Sequence, residues 1–225
     1  MNINSLKPAS DFASAYGVKA VIYGPPGSAK TPLINTAPRP ILLATEPGLL
    51  SMRGSNVPTF LAPDAKTIDE FFTWFFNSNE NKNFDTLAID SGTQMAETYL
   101  LQAEATNKHG LKAYGEMADN TMKQLRQMYF MPQKHIYLIA KEQVTEENNS
   151  RMRRPYYPGR ELPIKVPHLF DFVLRLDTHN VPGVGQVRAF RCNQSFEEMA
   201  RNRTGNLNDY EPPDFGQLVI KAMKE

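Results

Sequence analysis

The spacing of apolar and polar positions divides the chain into short buried strands and longer amphipathic helices. Residues 18–23 form a β-branched apolar run, Val18-Lys19-Ala20-Val21-Ile22-Tyr23, and predict a first strand. Residues 41–44, 59–61, 86–90 and 135–140 are short apolar runs of the same kind and predict four more. Between them, Ile68, Phe71, Phe72, Phe75 and Phe76 recur at helical spacing. They place one apolar face on a helix over 67–77, capped by Asp64 or Thr67, and that stripe belongs against a sheet. Residues 92–107 and 113–131 read as two helices broken near Asn107-Lys108-His109-Gly110. Runs at 172–176 and 186–191 flank Pro182-Gly183-Val184-Gly185 and predict an antiparallel hairpin at the sheet edge. A helix over 214–223 closes the chain. Residues 1–17 carry no period and read as a lead-in, and the polar stretch 145–162 reads as a loop. Strands alternating with helices predict an α/β fold with a mostly parallel sheet and helices on both faces. Residues 18–225 then form one domain.

Composition narrows the class of protein. The chain has 225 residues, 41% of them hydrophobic and 22% charged, with a formal net charge of +1. It is long enough for one sizeable core, and any basic surface must be local rather than global. A single cysteine, Cys192, excludes an intramolecular disulfide and suits a reducing compartment. No apolar run approaches the ~18 residues that span a bilayer, and no signal-peptide layout opens the chain. These features predict a cytoplasmic protein without a membrane partner. The four histidines are scattered and lack metal-ligand spacing. Met117, Met122, Met128 and Met131 suit gaps between helix and sheet.

The candidate chemistry starts after the first strand, at Gly24-Pro25-Pro26-Gly27-Ser28-Ala29-Lys30-Thr31. A strand, a Gly-rich turn and Lys-Thr at a helix start form a phosphate-binding layout. Consecutive backbone N–H groups surround phosphate oxygens there, and the lysine and hydroxyl suit the β/γ-phosphates of ATP and Mg²⁺. Pro38 and Pro40 make the following helix short. Asp90, ending an apolar strand, is either a metal-orienting carboxylate or the N-cap of the next helix. Glu46, just past a strand end, is either an exposed loop residue or a base for water. Gln143, past the strand end at 138–140, has an amide suited to sensing a γ-phosphate. The 145–162 stretch holds Arg151, Arg153, Arg154, Tyr156, Tyr157 and Arg160. Cations with aromatic faces are what single strands bind, although a solvated surface loop has the same composition.

Taken in order, the 24–31 loop, Leu43-Ala44-Thr45-Glu46-Pro47-Gly48, Leu87-Ala88-Ile89-Asp90-Ser91 and Lys141-Glu142-Gln143-Val144 resemble the RecA-like P-loop NTPase core. The chain from about 18 to 223 is similar to the small phage-type RecA-like ATPases, the Sak-type single-strand-annealing proteins among them. Leu162-Pro163, residues 170–176 and Arg201-Asn202-Arg203-Thr204-Gly205 add to that likeness. The resemblance implies ATP and Mg²⁺ as cofactors, with Lys30 on phosphate and Thr31 and Asp90 at the metal. It implies Glu46 as the residue that activates water and Gln143 as the switch toward a mobile DNA-binding loop at 145–165. It further implies single-stranded DNA as a partner, annealing or recombination as the role, and a ring or filament of identical subunits. A single-strand-binding protein is a further partner it suggests, and an arginine acting in trans is compatible with it. One letter departs from the pattern: Ala29 stands where a second glycine is expected. At negative φ alanine is tolerated there, whereas at positive φ it is strained. A nucleotide-binding scaffold without turnover is therefore the rival reading, and a small-molecule kinase a weaker one.

Overall fold

The computed structural model describes residues 6–107, 109–147 and 150–224. In chain order its strands are β1 (Lys19–Tyr23), β2 (Pro40–Ala44), β3 (Thr59–Leu61), β4 (Thr86–Asp90), β5 (His135–Glu147), β6 (Ser150–Tyr156), β7 (Phe172–Val181), β8 (Gly185–Arg191), β9 (Arg201–Asn202) and β10 (Tyr210–Glu211). The sheet runs in the order β10-β8-β7-β1-β5-β4-β2-β3, with β6 paired to β5 and β9 to β7. Every pairing among β1 to β5 is parallel, as is β1 with β7. The later pairs, β7 with β8 and β8 with β10, are antiparallel. The expected C-terminal hairpin is present, although β10 rather than β8 forms that edge of the sheet.

Two cores follow from the two-residue repeat of the strands. Val21, Leu43, Ile89, Leu138 and Val173 point to one face. There they meet α2 (Ala65–Asn77), α3 (Gly92–Thr106), α4 (Gly110–Tyr129) and α5 (Leu162–Leu169). Ile22, Leu42, Ile139 and Leu174 point to the other face, covered by α6 (Phe215–Ala222) and a 3₁₀ turn at Pro32–Thr36. Phe71, Phe72 and Phe75 of the α2 stripe are buried as their period requires, and Phe76 is partly buried at its end. Asp64 caps that helix, accepting from the Thr67 amide at 2.8 Å, so of the two candidate caps the carboxylate serves.

Two expectations need correction, and one helix was not foreseen. The lead-in contains a short helix, α1 (Ala9–Ala15). The sequence hides it because its one large apolar residue, Phe12, stays exposed, leaving no buried face to set a period. The 145–162 stretch is not a loop. β5 continues past its buried part and turns back as β6, with Lys141 facing Tyr156 and Glu146 facing Arg151. Such a hairpin projecting from the sheet needs no apolar alternation, so its polar sequence did not betray it; residues 148 and 149 lie outside the described residues. Finally, α5 carries Pro163 near its start and Pro167 within it, a composition that argues against a helix. Burial of Leu162 and Val166 outweighs that penalty. No helix among the described residues is long and apolar enough to cross a membrane.

β1 carries one charge into the core. Lys19 is fully buried, and its ammonium donates to the carbonyls of Met131 and Lys134 beyond the end of α4. Burial pulls its pKa down to about 8, against the opposing charge of Asp171. The unfolded chain then keeps a proton that the folded chain releases between about pH 8 and the ordinary lysine value of 10.5. Stability therefore rises with pH across that window. The buried Tyr23, Tyr99 and Tyr157 hydroxyls, whose pKa values burial raises, reverse the trend above the ordinary tyrosine value of 10.0. Urea midpoints should climb for the wild type from pH 7.5 to 9, above which the buried Cys192 thiol, its pKa raised by burial from 9.0 to about 12, opposes the trend; Lys19→Met should flatten most of that climb.

Candidate functional site

The loop after β1 is shaped by its position. β1 lies between β5 and β7, so the chain leaves the strand through a narrow gap. A Cβ on Gly24 would lie 2.1 Å from the Leu176 carbonyl oxygen, which only glycine avoids. Gly27 has φ +80°, and the Ser28 amide closes a turn onto the Pro25 carbonyl at 3.2 Å. Pro26 and Gly27 are exposed at the crest, while Ser28 is buried beneath. The end of the loop is tied to the sheet, because the buried Tyr137 hydroxyl donates to the Lys30 carbonyl at 2.9 Å. The segment that follows is a 3₁₀ turn rather than an α-helix. Pro38 and Pro40 stop it within five residues, so the loop gains little from a helix dipole.

Ala29 settles the question its letter raised. Its φ is +70°, the left-handed conformation that costs an L-residue about 1–2 kcal/mol. The fold therefore imposes the glycine-type backbone even where the sequence supplies alanine.

The side chains of the loop converge. The Lys30 ammonium donates to the Gly24 and Pro25 carbonyls at 2.8 and 2.9 Å and to the Ser28 hydroxyl at 3.2 Å. Burial lowers its pKa, opposed by the charges of Asp90, Glu142 and Asp177. The Thr31 hydroxyl donates to an Asp90 carboxylate oxygen at 2.6 Å. Burial raises the Asp90 pKa, the Thr31 hydrogen bond lowers it, and the Glu46 charge raises it again. Asp90 is thus not a helix cap. Ser91 performs that role, its hydroxyl accepting from the Gln94 amide at 3.1 Å. The Asp90–Ser91 peptide is cis.

Glu46 stands half-buried beside this group, at the end of β2. Thr45 straps that end to β4: its amide donates to the Asp90 carbonyl at 2.8 Å, and its hydroxyl to the Ser91 carbonyl at 3.1 Å. A hydroxyl and a buried carboxylate in contact would suit a Mg²⁺ as oxygen donors, and the ammonium on the same loop would suit the phosphates that arrive with it. The residues present fit such a group.

Gln143 is not at a strand end. It sits within β5 opposite Arg154, its amide reaching the Pro155 carbonyl at 3.5 Å. Its neighbour Glu142 makes the closer link to the site. Glu142 bonds Arg175 at 2.7 Å, and Arg175 also contacts Asp177 and Glu198, each at 2.6 Å. Arg175 is only 4% exposed. Burial opposes its charge, but the hydrogen bond and charge of Glu142, with Glu198 and Asp177, hold its pKa above the ordinary arginine value. Sequence reasoning missed this cluster because Arg175 sits inside an apolar run, Val173-Leu174-Arg175-Leu176. A lone arginine there was the available signal, since a buried charge requires partners.

The hairpin residues have diverse fates. Tyr157 is 1% exposed, its hydroxyl 3.3 Å from where a Gly92 Cβ would lie, so it offers no face for stacking. Arg153 pairs with Glu197 at 3.3 Å and is half-buried. Tyr156 is half-buried, and its carbonyl accepts from the Thr93 hydroxyl. Arg154 is half-buried on β6, whereas Arg151 and Arg160 are exposed, Arg151 paired with Glu146 at 3.2 Å.

Comparison with known proteins agrees with this geometry at the level of family. The model of a family described as an AAA domain matches residues 16–204. No curated protein matches the sequence. Among solved structures, a KaiC-like protein from the hyperthermophilic archaeon Pyrococcus horikoshii OT3 is similar at 14% identity and a TM-score of 0.43, over 78% of this chain and 77% of that one.

Relieving the left-handed alanine gives a direct test of the loop. Ala29→Gly should raise stability by roughly 0.5–1 kcal/mol, the strain released less the entropy glycine adds to the unfolded chain. It should also tighten nucleotide binding by removing a methyl group from the loop, as read by thermal melting and by titration with a fluorescent ATP analogue.

Proposed function

The chain belongs to the AAA domain family of P-loop NTPases, and on that premise we propose that it binds ATP with Mg²⁺ at the 24–31 loop and hydrolyses it slowly. The observation that carries this reading is the Thr31–Asp90 hydrogen bond of 2.6 Å beside Lys30, on a loop of the phosphate-binding type. Backbone amides of Gly27 to Thr31 surround the phosphates, and Lys30 exchanges its loop carbonyls for phosphate oxygens. Thr31 and Asp90 would hold the metal. When bound, Mg²⁺ neutralises charge that develops on the phosphate oxygens. Glu46 takes the proton of the attacking water, a role its place beside Asp90 supports. Gln143, with Glu142 beside it, relays the state of the site into the β5–β6 hairpin.

Slow turnover follows from two features. The strained Ala29 holds the loop at a cost, and the 3₁₀ turn contributes a weaker dipole than a full helix. A nucleotide-holding scaffold is the limit of this reading.

Single-stranded DNA is the further ligand we infer for the hairpin, acting in annealing or recombination within a homo-oligomeric ring or filament. A single-strand-binding protein would supply coated substrate. The support is the resemblance together with the exposed Arg151 and Arg160; Tyr157 has no part in it. Arg153, Arg154 and Tyr156 are the hairpin residues that complete the surface.

Two measurements bear on these claims. Lys30→Ala should abolish binding of a fluorescent ATP analogue, while Glu46→Gln should bind normally and lose about 100-fold or more in turnover. Equal turnover in wild type and Glu46→Gln would exclude Glu46 as the base, and ATP binding without turnover in either would leave a scaffold. Anisotropy with single-stranded and duplex oligonucleotides, with and without Mg-ATP, should show single-strand binding weakened by Arg151→Ala. Absence of DNA affinity in every nucleotide state would end the DNA reading.

A further inference from the structure

A second concave site lies at the opposite end of the sheet, where β2, β4 and β5 begin. It is a cleft of about 760 Å³, within the size range of ligand pockets. Four cations line it, Arg39, Lys82, Arg126 and Lys134, against one carboxylate, Asp85.

Two of those cations are committed to the fold. Arg39 holds both oxygens of Asp85, and the Lys134 ammonium donates to the Asn81 and Phe84 carbonyls. Lys134 therefore contributes field rather than contact. Lys82 and Arg126 are exposed and make no ion pair among the described residues. Phe130, which also lines the cleft with Phe76 and Met131, is 64% exposed, its ring edge-on to Tyr129.

The backbone is also unusual at this cleft. Arg39 and Gln133 both line it, and both are non-glycine residues at positive φ, +33° and +57°. Each is held in place by a hydrogen bond: the Arg39 carbonyl accepts from the Asp85 amide at 3.0 Å, and the Gln133 amide donates to the Ala15 carbonyl at 2.8 Å. Strain of this kind persists only where surrounding structure imposes it, and it gathers at ligand sites.

We propose that this cleft is a second binding site, for a phosphorylated nucleoside, in which Lys82 and Arg126 hold the phosphate and Phe130 stacks on the base. Free cations next to an exposed ring are the elements that bind phosphate and base together. The excess of cations over carboxylates disfavours a cationic ligand, and an acyclic anion would leave Phe130 unused. The phosphorylated nucleoside is either a free mononucleotide or a unit of a single strand. Neither the phosphate loop nor the β5–β6 hairpin contributes a residue to the cleft, so the proposal stands apart from the ATP reading.

The experiment uses the full chain carrying Lys30→Ala, which removes phosphate-loop binding. Fluorescein-labelled oligo(dT) is titrated by anisotropy and dTMP by calorimetry, each into that protein and into versions also carrying Lys82→Gln with Arg126→Gln, or Phe130→Ala. All three substituted side chains are exposed, and circular dichroism checks the fold. The expected result is a loss of roughly tenfold or more in affinity on Lys82→Gln with Arg126→Gln. For the oligonucleotide, the slope of log affinity against log salt should also fall by about 0.7, the share of one neutralised phosphate on a single strand. Loss confined to dTMP identifies a free-nucleotide site, and loss of oligo(dT) binding identifies a strand site. Phe130→Ala should weaken the same probe. Failure of both probes to bind, or unchanged affinity for both in the Lys82→Gln, Arg126→Gln protein, would overturn the proposal.

Discussion

The packing of β1 between two parallel neighbours governs everything at the phosphate loop. β5 and β7 approach β1 from both sides, so its C-terminal end opens into a space bounded by two other strands. The Leu176 carbonyl excludes any side chain at position 24, and the Tyr137 hydroxyl fixes the far end of the loop at Lys30. Between these anchors the chain has few conformations left. Ala29 takes the left-handed one although alanine disfavours it, because the energy of two clamped ends exceeds a strain of about 1–2 kcal/mol.

The same crowding assembles charge. Lys30, Asp90, Glu142, Asp177 and Arg175 come from four segments and meet where β1, β4, β5 and β7 end or leave the buried sheet. Arg175 is surrounded by three carboxylates, so its removal would leave charges buried without compensation, the costly half of any buried ion pair. Its partner Glu142 lies on the strand that continues into the hairpin, and its charge also acts on Lys30. A change of charge at the loop therefore has a short physical route to β6.

The opposite end of the sheet follows another logic. Lys19 and Lys134 turn their ammonium groups inward to carbonyls at chain turns, while Lys82 and Arg126 stay exposed at the cleft. A near-neutral chain thus presents a strongly basic concavity, which net charge alone does not reveal.

By itself the sequence determined the places of β1 to β5, β7 and β8 in the chain, the phenylalanine face of α2, the phosphate loop and the presence of Glu46 and Asp90 near strand ends. Short-range chemistry suffices for these: alternation, helical spacing, and glycine next to lysine and threonine. Tertiary structure decided what depends on distant neighbours. Asp90 is a partner of Thr31 and not a cap, because β4 ends beside a loop 59 positions away in sequence. Tyr157 is core and not surface, because α3 passes over it with a glycine at the contact. Gln143 lies inside a strand, because β6 folds back upon it. The backbone of Ala29 was likewise undecidable from its letter, since two clamps outside the loop impose its positive φ.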